Sequence, residues 1–147
     1  MSKFQDVELL LVEDNDNDLE LSLRALKKIN IANKVHVARD GKEALDYIFQ
    51  KDKHGVELNR FPKVILLDLK LPKIDGTEVL KRIKMDDRTK DIPVVILTSS
   101  RESVDLKKCY ELGANSYIVK PFGLEDFVQA VSTAGMYWLL INQPARQ

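Results

Sequence analysis

The sequence predicts an α/β fold in which helices cover both faces of a doubly wound sheet of five parallel strands. Short runs of β-branched residues and leucine alternate with longer segments of helical period, which is the pattern of repeated βαβ units. The run over residues 64–68 is apolar until its last residue, as is typical of a strand buried on both faces. Five strands and five helices in strict alternation favour a flavodoxin-like strand order in a three-layer sandwich.

The spacing of apolar residues predicts the first two strands and helices. Residues 7–12 form the first predicted strand, which ends directly before two acidic residues. Asp16 is the predicted N-cap of a helix whose apolar positions recur at spacings of three and four, at Leu19, Leu23, Leu26 and Ile29. Residues 34–38 are predicted to form the second strand, and residues 42–49 a short second helix.

A polar connection over residues 51–62 separates these elements from the rest of the chain, and it is longer than α/β units normally need. The alternation then continues with strands at 64–68, 94–98 and 116–119, and with helices at 77–85, 104–112 and 124–141. Gly113 is the predicted stop of the fourth helix, because glycine readily adopts the left-handed conformation that ends helices.

The length and composition indicate one soluble globular domain over residues 1–147, and the predicted strands and helices place its core at 7–141. Apolar residues make up 44% of the chain and charged residues 31%, which is too apolar for a disordered protein. Lys plus Arg and Asp plus Glu each number 23. The chain therefore lacks the basic excess of proteins that bind the phosphate backbone, and we expect no nucleic-acid partner.

Other sequence features are those of a cytoplasmic protein. Cys109 is the only cysteine, so the chain cannot form an internal disulfide, which suits a reducing compartment. Residues 1–6 contain no apolar core of signal-peptide length, and no segment approaches the roughly 18 apolar residues of a membrane span. We therefore expect a cytoplasmic location without a membrane partner.

Charged and hydroxyl residues stand at the carboxyl ends of four predicted strands. They are Glu13 and Asp14 after the first strand, Asp68 ending the third, Thr98 ending the fourth and Lys120 after the fifth. Open α/β sheets bind ligands at this edge, so we expect these residues to converge. Three neighbouring carboxylates repel one another, and a hard divalent cation such as Mg²⁺ would relieve that repulsion. Acids, a cation, a lysine and a hydroxyl together suit phosphoryl transfer to a carboxylate nucleophile.

These strand-end residues belong to a longer series of short motifs. The series consists of Glu13 with Asp14, Asp68, Leu71 with Pro72, Asp75 with Gly76, Thr98 with Ser99, and Lys120 with Pro121. In this order and on these elements, the motifs resemble the receiver domains of two-component response regulators. The resemblance covers residues 7–141 and implies a receiver that takes a phosphoryl group from a sensor histidine kinase. It also implies self-phosphorylation and self-dephosphorylation, as distinct from the activity of a conventional turnover enzyme.

The resemblance implies a nucleophile and a metal site at matching positions. Asp68 would be the phosphoacceptor. The ligands of Mg²⁺ or Mn²⁺ would be Asp14, Asp68, the backbone carbonyl of Lys70, and Glu13 either directly or through a water. Lys70 and Ser100 lie two residues after Asp68 and Thr98, where they flank the path of water to the acyl phosphate and should affect its lifetime.

The resemblance also implies a set of residues that respond to phosphorylation. Thr98 would bond a phosphoryl oxygen after phosphorylation, and Lys120 would pair with it. Tyr117 would be the aromatic switch residue, which turns inward as Thr98 moves. A cis peptide bond between Lys120 and Pro121 would aim the lysine at the site.

The partners follow from the resemblance and from the length of the chain. Too few residues follow Pro121 for a DNA-binding or catalytic output domain. We therefore expect output through a protein contact or through relay to a downstream histidine phosphotransfer protein. The long connection at 51–62 and the extended last helix resemble stand-alone receivers paired with bacterial phytochrome-type histidine kinases.

The last helix carries more apolar surface than one core-facing stripe requires. Phe127, Val131 and Trp138 can face the sheet, while Val128, Tyr137 and Ile141 lie on flanking faces. Apolar residues beyond one stripe often mark a partner site. We therefore expect a homodimer through this helix and its neighbours.

Three other functions fit parts of the pattern. A phosphatase of the haloacid dehalogenase type would need a second acid two residues after Asp68, where Lys70 stands. A flavin-binding module would need a phosphate loop rich in glycine and hydroxyl residues after the first strand, where acids stand. A degenerate receiver that acts as a phosphorylation-independent interaction module is disfavoured by the full set of five chemical positions, but the sequence leaves it open.

Overall fold

The predicted alternation of strands and helices is present in the computed structural model, which describes residues 7–31 and 34–143. The strands are β1 (Leu9–Val12), β2 (Val35–Ala38), β3 (Val64–Leu67), β4 (Val94–Thr98) and β5 (Ser116–Val119). They pair in parallel in the order β2-β1-β3-β4-β5, which confirms the flavodoxin-like prediction. Residues 1–6, which the sequence analysis judged not to be a signal peptide, lie outside the described part of the chain.

Helices cover both faces of this sheet. They are α1 (Asp16–Lys28), α2 (Gly41–Ile48), α3 (Gly76–Met85), α4 (Ser103–Glu111) and α5 (Leu124–Met136), and α5 continues into a π-helical turn (Tyr137–Ile141). The buried side chains of α1 and α5 pack with one face of the sheet, and those of α2, α3 and α4 with the other. No helix within residues 7–31 and 34–143 is long and apolar enough to cross a membrane.

The register of the strands places the predicted site residues side by side at the carboxyl edge of the sheet. Val12 is paired with Leu67, so the residues that follow β1 and β3 leave the sheet side by side. Thr98 is paired with Val119, which places the residue after β5 at the same edge. The central strands β1, β3 and β4 are fully buried, which confirms the burial predicted for β3 from its continuous apolar run.

Gly76 sets the distance between β3 and α3. A Cβ atom at this position would lie 2.2 Å from the Asp68 carbonyl oxygen and 2.6 Å from the Leu69 Cα atom. The Gly76 amide donates a hydrogen bond to the Leu69 carbonyl at 2.7 Å. The missing side chain therefore lets α3 begin directly against the end of the strand that carries Asp68.

The start of α1 differs from the prediction by one residue. Asn15 has extended backbone angles, and its side chain accepts a hydrogen bond from the Asp18 amide at 2.9 Å, so Asn15 is the N-cap. Asp16 is instead the first helical residue. Both residue types are good caps, and only the backbone conformation at the end of β1 decides between them.

The long connection at 51–62 is attached to the helical layer beside it. Lys51 and Glu57 form an antiparallel bridge, and Glu57 forms an ion pair with Arg88 at 2.5 Å. The Arg88 guanidinium also lies 5.2 Å from the centre of the Phe49 ring. These contacts hold the connection against the segment that follows α3.

Candidate functional site

The predicted acids and lysine meet at the carboxyl edge of the sheet. The Lys120 Nζ atom lies 2.7 Å from the Glu13 Oε1 atom and 3.0 Å from the Asp68 Oδ2 atom. All three residues are buried, and so is Thr98 at the end of β4. A cavity of about 410 Å³ opens onto this cluster, and its lining includes Asp14, Asp68, Thr98 and Lys120. The convergence expected from the strand ends is therefore present.

Asp18 completes the surroundings of Lys120, and the sequence analysis did not assign it to the site. Its Oδ2 atom accepts a hydrogen bond from Lys120 Nζ at 2.8 Å. Asp18 lies in the first turn of α1, which begins at the carboxyl edge of the sheet. This position was the only feature of the sequence that could have assigned Asp18 to the site. It is a weak indication, because acidic residues also occur in the first turn of helices for their favourable interaction with the helix dipole.

Burial and charge act in opposite directions on the central ion pair. Burial raises the pKa of Glu13 to about 7, against the hydrogen bond from Lys120, which lowers it. Burial lowers the pKa of Lys120, because it disfavours the charged ammonium. The hydrogen bonds to Asp18 and Glu13 and the negative charge of Asp68 raise this pKa by more than burial lowers it. The pKa of Lys120 is therefore raised, and the lysine is a permanent cation beside Asp68.

The carboxylates fit a hard divalent cation. Oxygen atoms of Glu13, Asp14 and Asp68 lie within 4.8 Å of one another. Mg²⁺ and Mn²⁺ prefer such oxygen ligands, and Mg²⁺ commonly retains several waters beside one or two carboxylates. Lys70, whose backbone carbonyl is a predicted metal ligand, also lines this cavity.

A hydrogen-bonded loop connects Thr98 with Tyr117. The Thr98 Oγ1 atom accepts from the Ser100 amide at 3.3 Å, and the Tyr117 hydroxyl donates to the Ser100 carbonyl at 3.1 Å. The Ser100 hydroxyl donates to Asp105 of α4 at 2.5 Å. The structure therefore brings the two predicted switch residues into one network, which also includes the start of α4.

The expected cis bond before Pro121 is wrong for this structure. No cis peptide bond occurs in residues 7–31 and 34–143, so the peptide between Lys120 and Pro121 is trans. The trans form is the lower in free energy for most X-Pro bonds. Lys120 reaches Asp68 with this trans peptide, so its contact with the Asp68 carboxylate does not require the cis isomer.

Arg39 is a second residue at the site that the sequence analysis missed. It follows β2, and its guanidinium donates to the Asp14 carbonyl at 3.2 Å and forms an ion pair with Asp16. The loop that carries Glu13 and Asp14 is thereby tied to the neighbouring strand. Nothing in the local sequence pattern predicts this contact, because it joins elements 25 residues apart.

Comparison with known families decides what kind of site this is. The family description "Response regulator receiver domain" matches residues 9–132. The chain belongs to this family. The receiver is therefore a two-component signalling protein that is phosphorylated on an aspartate, uses Mg²⁺ or Mn²⁺ and has a sensor kinase as a partner. The phosphatase and flavin-binding alternatives are not favoured.

Individual relatives resemble the receiver over most of their own lengths. The probable methanogenesis regulatory protein FilR2 of Methanothrix harundinacea is 43% identical over 92% of this chain and 85% of its own length. Response regulator Rcp1 of Synechocystis sp. strain PCC 6803 is 40% identical over 89% of this chain and 88% of its own.

Two solved structures show the same likeness in three dimensions. The Mn²⁺-bound form of Rcp1 has a TM-score of 0.83 and 37% identity, covering 94% of this chain and 98% of its own. The phosphorylated cyanobacterial phytochrome response regulator RcpA has a TM-score of 0.86 and 37% identity, covering 97% of this chain and all of its own. The family resemblance noted from the motifs is confirmed, including its extension to stand-alone phytochrome regulators.

Proposed function

We propose that Asp68 is the phosphoacceptor of this receiver. The observation that carries the assignment is the 3.0 Å contact between the buried Asp68 carboxylate and the Lys120 ammonium at the end of β3. In the transfer, an Asp68 oxygen attacks phosphorus and forms a new O–P bond. The bond between phosphorus and the donor breaks, and its electron pair leaves with the donor group. Lys120 stays close enough to offset negative charge on the phosphoryl oxygens.

The metal ligands in this proposal are Glu13, Asp14, Asp68 and the backbone carbonyl of Lys70. A bound Mg²⁺ or Mn²⁺ would offset the charge of the carboxylates and of the incoming phosphoryl group. Arg39 supports the loop of Asp14 through its carbonyl, and so keeps that ligand in place. Glu13 shares its carboxylate between the cation site and Lys120.

The switch residues in this proposal are Thr98 and Tyr117. The Thr98 hydroxyl would leave its contact with the Ser100 amide and donate to a phosphoryl oxygen. Because the Tyr117 hydroxyl donates to the Ser100 carbonyl, movement of this loop would release the ring to turn inward. The Ser100–Asp105 hydrogen bond would pass the change to α4.

The partners of the receiver are proposed from its relatives and its charge. We assign residues 1–147 to a single receiver domain, since the RcpA match covers 97% of this chain and all of that regulator. A phytochrome-type histidine kinase is the proposed donor, and a downstream histidine phosphotransfer protein is a proposed recipient. The balanced charge supports a protein partner over nucleic acid. The proposed location is the cytoplasm.

A homodimer is proposed through the last helix and its neighbours. Tyr137, Leu140 and Ile141 of the π-helical turn are exposed, as is Met136 at the end of α5. Trp138 is packed against the core formed by α1 and α5, together with Phe127 and Val131, as predicted. Apolar surface therefore remains on the outer side of this element.

The test of the function is intact-mass analysis after incubation with acetyl phosphate, with and without Mg²⁺. We expect one phosphoryl adduct on the wild type, dependent on Mg²⁺ and absent from Asp68→Asn. Asp87→Asn is the matched control, because it makes the same change at an exposed aspartate away from the site, and it should form the adduct normally. Absence of any adduct on the wild type would contradict the proposal and favour the degenerate interaction module.

A further inference from the structure

Lys120 has no free hydrogen-bond donor in the unphosphorylated receiver. A lysine ammonium carries three N–H groups and accepts no hydrogen bond. Glu13, Asp18 and Asp68 lie 2.7, 2.8 and 3.0 Å from Nζ, so each carboxylate takes one of the three. A phosphoryl oxygen can bond to Lys120 only by competing with one of these acceptors.

The three acceptors differ in how firmly they are fixed. The side chains of Glu13 and Asp68 are 2% and 10% exposed, whereas that of Asp18 is 26% exposed. Asp18 also lines the cavity that opens onto Asp68, and under the proposed function a phosphodonor would approach Asp68 from this cavity. Its carboxylate therefore stands beside the path of the phosphoryl group and is the acceptor most open to solvent.

We infer that Asp18 is a resting-state counter-ion of Lys120 that limits phosphorylation of this receiver. This inference rests on the proposed function. Asp18 lowers the rate of phosphorylation in two ways. Its carboxylate competes with the phosphoryl oxygens for a Lys120 N–H group, and its negative charge repels the anionic donor. Asp18 is a positioning residue, because it acts on the phosphoryl group through Lys120 and through the local field.

Removal of the Asp18 charge should consequently favour the phosphorylated form. In Asp18→Asn, one strong acceptor of Lys120 becomes a weak neutral one, and the field at the phosphoryl group becomes less negative. For a partly exposed charge at this range, we expect formation of the adduct to become roughly three- to ten-fold faster with a saturating supply of Mg²⁺. Its loss after removal of acetyl phosphate should be slower by a similar factor.

The experiment follows both rate constants by intact-mass time courses in wild type, Asp18→Asn, Asp18→Glu and Asp16→Asn. Asp16 lines the same cavity and its side chain is 86% exposed, but its ion pair is with Arg39 and not with Lys120. Asp16→Asn thus removes the same charge without freeing a Lys120 donor. Arg39 keeps its hydrogen bond to the Asp14 carbonyl in this variant, so its rates should change less than two-fold. Asp18→Glu restores the carboxylate and should restore rates close to the wild type.

Each outcome bears on the inference. Unchanged adduct formation in Asp18→Asn would overturn it. Slower formation would also overturn it and would show that Asp18 holds Lys120 in its productive position. Equal effects in Asp16→Asn would overturn it in favour of general surface charge. If Asp18→Asn does not fold by circular dichroism, Asp18→Ser is used in its place. A wild type without any adduct would overturn the proposed function itself, and this inference with it.

Discussion

At the scale of single residues, Lys120 shows how buried charge is accommodated in this receiver. An isolated ammonium is costly to bury, but this one lies among three carboxylates that accept all of its N–H groups. The same arrangement places a permanent cation 3.0 Å from Asp68 before any donor arrives. The positive charge needed beside a phosphoryl group is therefore present in the resting state.

Cys109 gives a prediction at this scale. Its side chain is fully buried on α4. Burial raises the pKa of its thiol from 9.0 to about 11. Because the thiolate is the reactive form, only about one molecule in a thousand would be reactive at pH 8 even with free access.

We therefore expect the native protein to react with Ellman's reagent far more slowly than the unfolded protein. The measurement is the absorbance of the released thiol anion at pH 8, with and without guanidinium chloride. In denaturant the single thiol regains its ordinary pKa and should react within seconds to minutes. Complete reaction of the native protein in the same time would show that Cys109 is accessible.

At the scale of secondary-structure elements, three helices are fixed at their N-termini by acidic or amide caps. Asn15 caps α1, Asp40 caps α2 and Asp75 caps α3, each by accepting backbone N–H groups of the first turn. The N-caps of α4 and α5, Glu102 and Gly123, make no side-chain capping hydrogen bond. The starts of α1, α2 and α3 are thus more firmly held than those of the two helices that flank β5.

The cap of α3 gives a prediction at this scale. The Asp75 carboxylate accepts hydrogen bonds from the Thr77 amide and hydroxyl and from the Glu78 amide, at 2.6–3.1 Å. Asp75→Ala should lower the free energy of unfolding by about 1 kcal/mol, measured by urea denaturation. Asp75→Asn keeps a side-chain oxygen that can accept the capping hydrogen bonds, so its free energy of unfolding should fall less than that of Asp75→Ala. Equal losses in the two variants would contradict a capping role.

The pH dependence of this cap has a defined sign. The hydrogen bond from the Thr77 hydroxyl, aided by the two backbone amides, lowers the pKa of Asp75 from its ordinary 3.8. A lowered pKa means that the charge of Asp75 stabilises the fold above about pH 4 and ceases to do so as the pH falls through its folded value. The stability difference between wild type and Asp75→Asn should therefore shrink below pH 4.

At the scale of the whole molecule, exposed large apolar side chains are concentrated in the C-terminal third. Within residues 7–31 and 34–143, and apart from Val56 and Met85, the exposed ones all lie from α4 onward: Val104, Leu106, Tyr110, Phe122, Leu124, Met136, Tyr137, Leu140 and Ile141. The helices α1 and α2 contribute none to this set. The asymmetry places the surface suited to protein contacts on the side of the hydrogen-bond network that joins Thr98, Ser100 and Tyr117.

The proposed homodimer is the prediction at this scale. Leu140→Glu puts a charge on the exposed side of the π-helical turn and should shift the receiver towards monomer in sedimentation velocity experiments. Met85→Glu makes the same change at an exposed residue of α3 and should leave association unaltered. A wild type that is monomeric at high concentration, with and without acetyl phosphate and Mg²⁺, would contradict the dimer.

The sequence by itself determined the fold, the order of elements and the group of strand-end residues. Buried parallel strands are recognisable in the sequence as short, continuous apolar runs, and their carboxyl ends meet at one edge of the sheet. The order of the elements alone was therefore enough to place Glu13, Asp68, Thr98 and Lys120 together. The family motifs then supplied the roles that these residue types have in receivers.

Only the tertiary structure decided which side chains touch. The contact of Asp18 with Lys120 depends on how α1 is placed against the sheet edge. The link from Arg39 to the Asp14 loop and the choice of Asn15 over Asp16 as a cap depend on the backbone path at the end of β1. The trans peptide before Pro121 depends on the path of the chain out of β5. Periodicity fixes which face of a helix is buried, but not the rotamers and loop paths that bring polar atoms within 3 Å of one another.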